Sequence, residues 1–478
     1  MSRENIICRQ IEINELEKSL QSERSELIIV YGRRRVGKTY LIEEYFSGNY
    51  DFSFVGGHKL PQKQQLRNFS KALKAASGSD KPVELADWYD AFDCLEDYLA
   101  SLPNDRKKVI FFDEMPWIDT FKSDFTSAFE NFWNSWAARR KDIVFVATGS
   151  ATSWMVDKLI DNPGGLHARI TRHIYVRPFT LAEVEQYLLA HSCNWDRYQI
   201  AQCYMFFGGI PFYLSLLDTD ISLAQNVDRL CFARGGALRK EFEELYVALF
   251  SHAENYIEVV KTLSEHRMGL TYSEISAKTK VTGNKLTRIL KNLEYCDFIM
   301  KFKYFGKKSK DRIYRICDFY TIFYYKFIEP NLDNYDENWW QRNGNSRSVE
   351  SWQGFAFELL CLTHIPQIRK ALEIGGVATD ISAWFEKGDR NTGAKGAQID
   401  LIIDRADRIT HLCEIKFSKD KYVIDADYAD RLRERMSLFR SKTGIKTALL
   451  NTFITTFGVA DGRNAGVVDS SITLDNLF

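Results

Sequence analysis

Residues 26–46 read ELIIVYGRRRVGKTYLIEEYF, and no other stretch restricts the fold as much. An apolar run stops at Gly32, three arginines follow (Arg33, Arg34, Arg35), then Val36, Gly37, Lys38, Thr39 and Tyr40. The run before Gly32 has the length and apolar content of a buried strand. Beyond Thr39, Leu41, Ile42, Tyr45 and Phe46 fall on one face of a helix. Four cations on one turn repel one another, and a polyanion seated there would offset the repulsion. The two glycines let the backbone turn its N–H groups toward such an anion.

Strand, Gly32-x4-Gly37-Lys38-Thr39, helix is the context that a phosphate-cradling P-loop needs. Main-chain amides and the positive end of the helix hold the phosphates. Lys38 would reach the β- and γ-phosphates, and the Thr39 hydroxyl would ligate Mg2+. Arg33, Arg34, Arg35, Val36 and Tyr40 fill the variable positions around a bound ATP, or the arginines face a partner. Further on, RKKVIFFDEMPWID (106–119) is a buried strand that ends in Asp113 and Glu114. Asp113 would share the Mg2+, and Glu114 would polarise the attacking water. A third strand, DIVFVATGSATSWM (142–155), ends in Thr148, Gly149 and Ser150. Ser150 either senses the γ-phosphate or caps the next helix. Arg169 and Arg172 precede a further strand, where one acts as an arginine finger or both are solvated. A finger acting in trans would require a homo-oligomer.

These strands alternate with helices, which implies a parallel sheet covered on both faces. On these residues the chain resembles the AAA+/STAND-type P-loop ATPases, specifically the prokaryotic archaeal ATPase clade. CRQIEINELEKSL (8–20) resembles the family's lead segment, which places Arg9 beside the adenine. FFGGIPFYLSLL (206–217) resembles its Gly-x-Pro motif, with Pro211 in a helical lid.

In the middle, ENYIEVVKTLSEH, TYSEISAKT and NKLTRILKNLEYC read as three short helices, followed by a hairpin, FIMKFKYFG to RIYRICD. The order resembles a winged helix-turn-helix. Lys285, Arg288 and Lys291 share a side of the third helix, and Lys307, Lys308 and Lys310 lie in the wing. This local basic face would contact DNA phosphates, or the module would pack and relay the nucleotide state. The 64 basic and 64 acidic residues cancel, so a nucleic-acid surface has to be local.

The stretch 329–348 is polar and reads as a linker. Beyond it, Glu358 sits in an apolar helix, Asp400 in the strand QIDLIID, and Glu414 and Lys416 two apart in HLCEIKFS. Acids inside apolar strands suit a cation site. The segment 350–452 resembles the PD-(D/E)xK nucleases as found in the DUF234-type module. That resemblance implies Mg2+ or Mn2+ held by Asp400 and Glu414, with Lys416 and Glu358 catalytic. The alternative is a silent binding module, and the Gln398-Ile399 lead departs from the usual proline.

The expected fold class is therefore α/β multidomain. A parallel-sheet P-loop ATPase core (1–190) precedes a helical lid (191–250), a winged helix-turn-helix (251–328) and an α/β restriction-endonuclease-like domain (349–478). The start MSRENIICRQ lacks a signal peptide, no run is long enough to span a membrane, and the nine cysteines form no C-x-x-C pair. A reducing cytoplasm is expected.

Overall fold

Six of six residues in Lys108–Asp113 are buried, which a strand achieves only when both faces of its sheet are covered. It is one of five parallel strands: β1 (Glu26–Gly32), β2 (Phe52–Val55), β3 (Lys108–Asp113), β4 (Ile143–Ser150) and β5 (Arg172–Tyr175), in the order β2-β3-β4-β1-β5. The parallel registers bring Gly32 opposite Ser150 and Val30 opposite Thr148. The computed structural model describes the 478 residues except 1–4, 151–153, 156–166, 308–311 and 389–395. It falls into two units, Met1–Pro178 and Phe179–Phe478.

The first unit's core is rich in rings. Phe54, Phe69, Trp88, Phe92, Phe112, Phe125, Phe129 and Phe145 are buried together, joining strands to the helices Gln62–Ser77, Trp88–Ser101 and Phe125–Ser135. Each buried ring contributes about 2 kcal/mol from apolar burial. Asp87 starts the second of those helices by accepting the Asp90 N–H.

The second unit begins with helices Leu181–Ala190 and Arg197–Phe207, each started by a reciprocal capping box, Thr180 with Glu183 and Asp196 with Gln199. Three helices follow at Ala253–Ser264, Tyr272–Thr279 and Gly283–Tyr295. They adjoin a small antiparallel sheet of β6 (Leu270–Thr271), β7 (Ile299–Phe302) and β8 (Ile313–Ile316), ordered β6-β8-β7. The helix Arg347–Thr363 then leads into β9 (Thr379–Glu386), β10 (Ala397–Arg405), β11 (Ile409–Lys416), β12 (Ala448–Thr455) and β13 (Ser470–Thr473). β9, β10 and β11 run antiparallel and β11, β12 and β13 parallel, in the order β13-β12-β11-β10-β9.

The stretch read as a linker is packed. It holds the helix Trp339–Asn343, and Trp340 is buried against Phe206, Phe323 and Trp352. Asp228 accepts the Trp340 and Gln341 N–H groups and so ends the segment's freedom. Two tryptophans outweigh the polar residues around them.

Candidate functional site

The turn after β1 is tightly constrained. A Cβ on Gly32 would lie 2.3 Å from the Val176 carbonyl oxygen, so only glycine lets the loop leave the strand here. Arg35 and Gly37 take left-handed backbone, at φ 77° and 85°. Around Gly37 a Cβ would meet nothing within 4 Å, which leaves room over the start of the helix Lys38–Phe46. The Lys38 ammonium donates to the carbonyls of Gly32 (3.2 Å) and Arg33 (2.9 Å) and so stays inside the loop.

Arg33 is buried, whereas Arg34 and Arg35 are half-exposed. Arg9, itself in left-handed backbone and buried, donates to the carbonyls of Val36 (3.0 Å) and Arg177 (2.6 Å). It thereby ties the loop to the chain beyond β5. Tyr40 points outward, half-exposed, with its hydroxyl on the Asn5 carbonyl.

The strand ends complete the arrangement. The Thr39 hydroxyl lies 3.0 and 3.1 Å from the two Asp113 carboxylate oxygens. The Thr148 hydroxyl, fully buried, donates to Asp113 and accepts the Glu114 N–H at 3.2 Å. Glu114 holds left-handed backbone at φ 48°, which for a residue with a Cβ costs about 1–2 kcal/mol. Burial pushes the Glu114 carboxyl up, Lys38 opposes this, and Asp113 adds to it. Its Oε2 and the Ser150 Oγ are both buried without a hydrogen-bond partner among the described residues. Buried polar atoms are usually paired, and such orphans mark places where a ligand, ion or water belongs. Arg169 is exposed, and Arg172 pairs with Glu15 at 2.9 Å. Residues 151–153 of the expected sensing stretch lie outside the described residues.

A hydroxyl and a carboxylate that share one point fit Mg2+, and the open amide turn fits phosphates. A five-stranded parallel sheet with this loop and these strand ends is a P-loop ATPase core, the class to which the first unit conforms.

Residues 7–217 match the family described as an ATPase domain found predominantly in Archaea. Over 426 residues the chain is 24% identical to the uncharacterized protein MJECL04 of Methanocaldococcus jannaschii, covering 87% of this chain and 89% of the relative. Among solved structures it is similar to the Walker-type ATPase Paby2304 of Pyrococcus abyssi, with 18% identity, 68% of this chain and 97% of that one covered, and a TM-score of 0.49. It is also similar to the ORC2 protein of Aeropyrum pernix, solved as ADPNP–ADP complexes, with 14% identity, 69% and 94% coverage, and a TM-score of 0.42.

Pro211 lies in the second unit, as the first residue of the helix Pro211–Ser215. Before it, Phe179 N–H donates to the Gly209 carbonyl at 2.6 Å, and a Cβ on Gly209 would sit 1.8 Å from the Phe179 oxygen.

The acids of the second unit are near one another and already occupied. Asp400 and Glu414 lie one step beyond the Leu401–Cys413 pair of β10 and β11. Glu358 feels the charge of Asp400. Yet Glu358 takes the Arg315 guanidinium at 2.6 Å, and Asp400 accepts from Gln398. Glu414 receives Lys416 at 2.8 Å together with the Tyr428 hydroxyl and Arg435. Burial alone would raise the Glu414 carboxyl, but Arg435 and then Lys416 outweigh it and hold it down to about 2. Among the described residues, no three His, Cys, Asp or Glu side chains converge as a metal ion needs. In this arrangement the donor set expected for Mg2+ or Mn2+ does not fit a cation.

Sequence reasoning missed Tyr428, Arg435 and Arg315. Tyr428 and Arg435 are seven apart on the helix Ala426–Thr443, two turns along one face, and that spacing was available. For Arg315 no local signal exists. Among the described residues no helix is long and apolar enough to cross a membrane.

Proposed function

We propose that the first unit binds ATP with Mg2+ and hydrolyses it to ADP. The observation that carries this is the Thr39–Asp113 contact at 3.0 Å, set beside a buried Glu114 oxygen that has no partner among the described residues. Bound Mg2+ would offset charge on the β- and γ-phosphates. Thr39 and Asp113 are placed to hold it. Lys38 exchanges loop carbonyls for phosphate oxygens, and the amides from Gly32 to Thr39 cradle the remainder. Glu114, half-buried beside Lys38, orients the attacking water, and its raised carboxyl pKa favours accepting a proton. Lys38→Ala should lose ATP binding by calorimetry. Glu114→Gln should keep ATP bound while turnover falls by roughly 10²–10⁴-fold. Undiminished turnover in Lys38→Ala would refute the assignment.

Two finer readings belong to the second unit. Residues 253–316 form three helices and a hairpin in the order of a winged helix-turn-helix, and Asn284, Lys285, Thr287 and Arg288 are exposed on the third helix. This supports a DNA-contacting face there. Lys308 and Lys310 of the wing lie outside the described residues. Retardation of duplex DNA that weakens with salt, and weakens further in Arg288→Ala, is the expected result. The second reading is a nuclease-like acid site, supported by the adjacency of Asp400, Glu414 and Glu358. It predicts Mg2+- or Mn2+-dependent cleavage, removed by Lys416→Ala, only in a form where Arg315 has left Glu358.

A further inference from the structure

The hairpin of the three-helix module is attached to the C-terminal sheet by its backbone. Phe305 N–H donates to the Ala383 carbonyl at 2.7 Å, and Ala383 N–H donates to the Lys303 carbonyl at 3.0 Å. Residues 303–305 thus extend the sheet beyond its edge strand β9. Phe305 packs its ring on Phe439 at 5.0 Å, and Lys303 pairs with Asp380 at 2.6 Å.

Ala383 is also the residue opposite a bulge. Ile399 pairs with Trp384 and Ile402 with Ser382, so Asp400 and Leu401 together face one residue of β9. A bulge re-aims the side chains it carries, and Asp400 is one of them.

The same module sends side chains over the acids. Arg315 of β8 is buried, holds Glu358 at 2.6 Å and lies over the Phe355 ring at 5.1 Å. Arg267 donates to the Ser351 hydroxyl at 3.1 Å. Met268 sulfur accepts from Gln398 at 3.0 Å, and Gln398 also holds Asp400. Glu358 thus faces a built-in cation in Arg315, Glu414 faces two in Lys416 and Arg435, and Asp400 meets the Gln398 amide. The Arg315 guanidinium takes the Glu358 oxygen that a divalent ion would need.

We propose that the three-helix module is a lock on the acid site: Arg315 excludes a divalent cation from Glu358 and Asp400 until the clip at residues 303–305 lets go of β9. This rests on the acid-site reading of the second unit. With residues 303–305 on β9, the third helix, where Lys285 and Arg288 are exposed, is left as the module's basic face.

The test is Mn2+ titration of the full chain without nucleotide, followed by calorimetry and Mn2+ spin resonance. Arg315→Ala, or Arg315→Gln if the first variant does not fold, should bind at least tenfold more tightly than the parent. The gain should vanish in the double variant with Asp400→Asn. Hydrogen exchange at Phe305 and Ala383 is read alongside and should quicken in the single variant. A parent that already binds Mn2+ through Asp400 with equal affinity overturns the lock and leaves the acid site standing. Quickened exchange with no Mn2+ bound by Arg315→Ala overturns both.

Discussion

Replacing Thr148 by valine keeps the shape of a fully buried side chain and deletes one hydroxyl. That hydroxyl is the acceptor of the Glu114 N–H at 3.2 Å and a donor to Asp113. The turn at Glu114 is left-handed at φ 48°, and it stays there because its surroundings satisfy it. An unsatisfied buried N–H costs about 1–3 kcal/mol, and the turn's own strain of about 1–2 kcal/mol then favours relaxation. If Glu114 moves, the barrier rises by that amount, so kcat falls by roughly 5- to 150-fold. Lys38, Thr39 and the loop amides are untouched, so ATP affinity should change by no more than about threefold. Steady-state turnover and calorimetric titration with ATP separate the two effects. Thr148→Ser, which restores the hydroxyl, should recover most of the rate. The reasoning fails if Thr148→Val turns over like the parent, or if affinity and rate fall in step.

Other outcomes follow from the same geometry. His364 is buried, with its Nδ1 on the Leu360 carbonyl at 2.9 Å and its Nε2 accepting the Leu181 N–H at 3.1 Å; burial drives its pKa down to about 4. The neutral ring is the favoured form, so its stabilisation is complete above the unfolded pKa of about 6.5. It is lost as pH falls toward about 4, by about 3 kcal/mol in all. Urea unfolding at pH 7 and pH 5 should show a difference that shrinks in His364→Gln. Gly209→Ala should destabilise the second unit strongly, since its Cβ would overlap the Phe179 carbonyl at 1.8 Å, and thermal unfolding reads this directly. Arg9→Ala removes the donors that join the Val36 carbonyl of the loop to the Arg177 carbonyl beyond β5, and should weaken ATP binding several-fold in calorimetry without abolishing it.

What the chain discloses in advance depends on how far apart the partners lie. The loop from Gly32 to Thr39 is legible because its chemistry is local: two glycines, a lysine and a hydroxyl between a strand and a helix. The pairing of Thr39 with Asp113 is legible because parallel strand ends converge. Thr148 and Ser150 are harder to separate. Both are polar, and both end β4. The structure gives Thr148 to Asp113 and turns the Ser150 N–H toward Glu114. Arg9, expected beside the adenine, donates to the carbonyls of Val36 in the loop and of Arg177 beyond β5, contacts no spacing rule foretells. The pair Glu414 and Lys416 follows from strand alternation, whereas Arg435 reaches Glu414 from a helix 21 residues on. Arg315 reaches Glu358 across 43 residues and two layers of structure, and no spacing rule foretells that.

The two acidic places therefore differ in a way that composition hides. At the first, Asp113 is met by hydroxyls and a buried Glu114 oxygen has no partner among the described residues, which leaves an electrostatic deficit for something else to fill. At the second, each acid has a partner from the chain itself, and Glu414 has three. A buried carboxylate with no counter-charge is costly, so a protein that carries acids in a strand must either import a cation or supply one. The first unit follows the former course. The second follows the latter with arginines, whose guanidinium stays charged at any ordinary pH. Loss of the guanidinium charge therefore cannot release Arg315 from Glu358; a displacement of the strand that carries it can. That is the physical reason to look for control of the acid site in the movement of β8 and its neighbours rather than in the charge of the guanidinium.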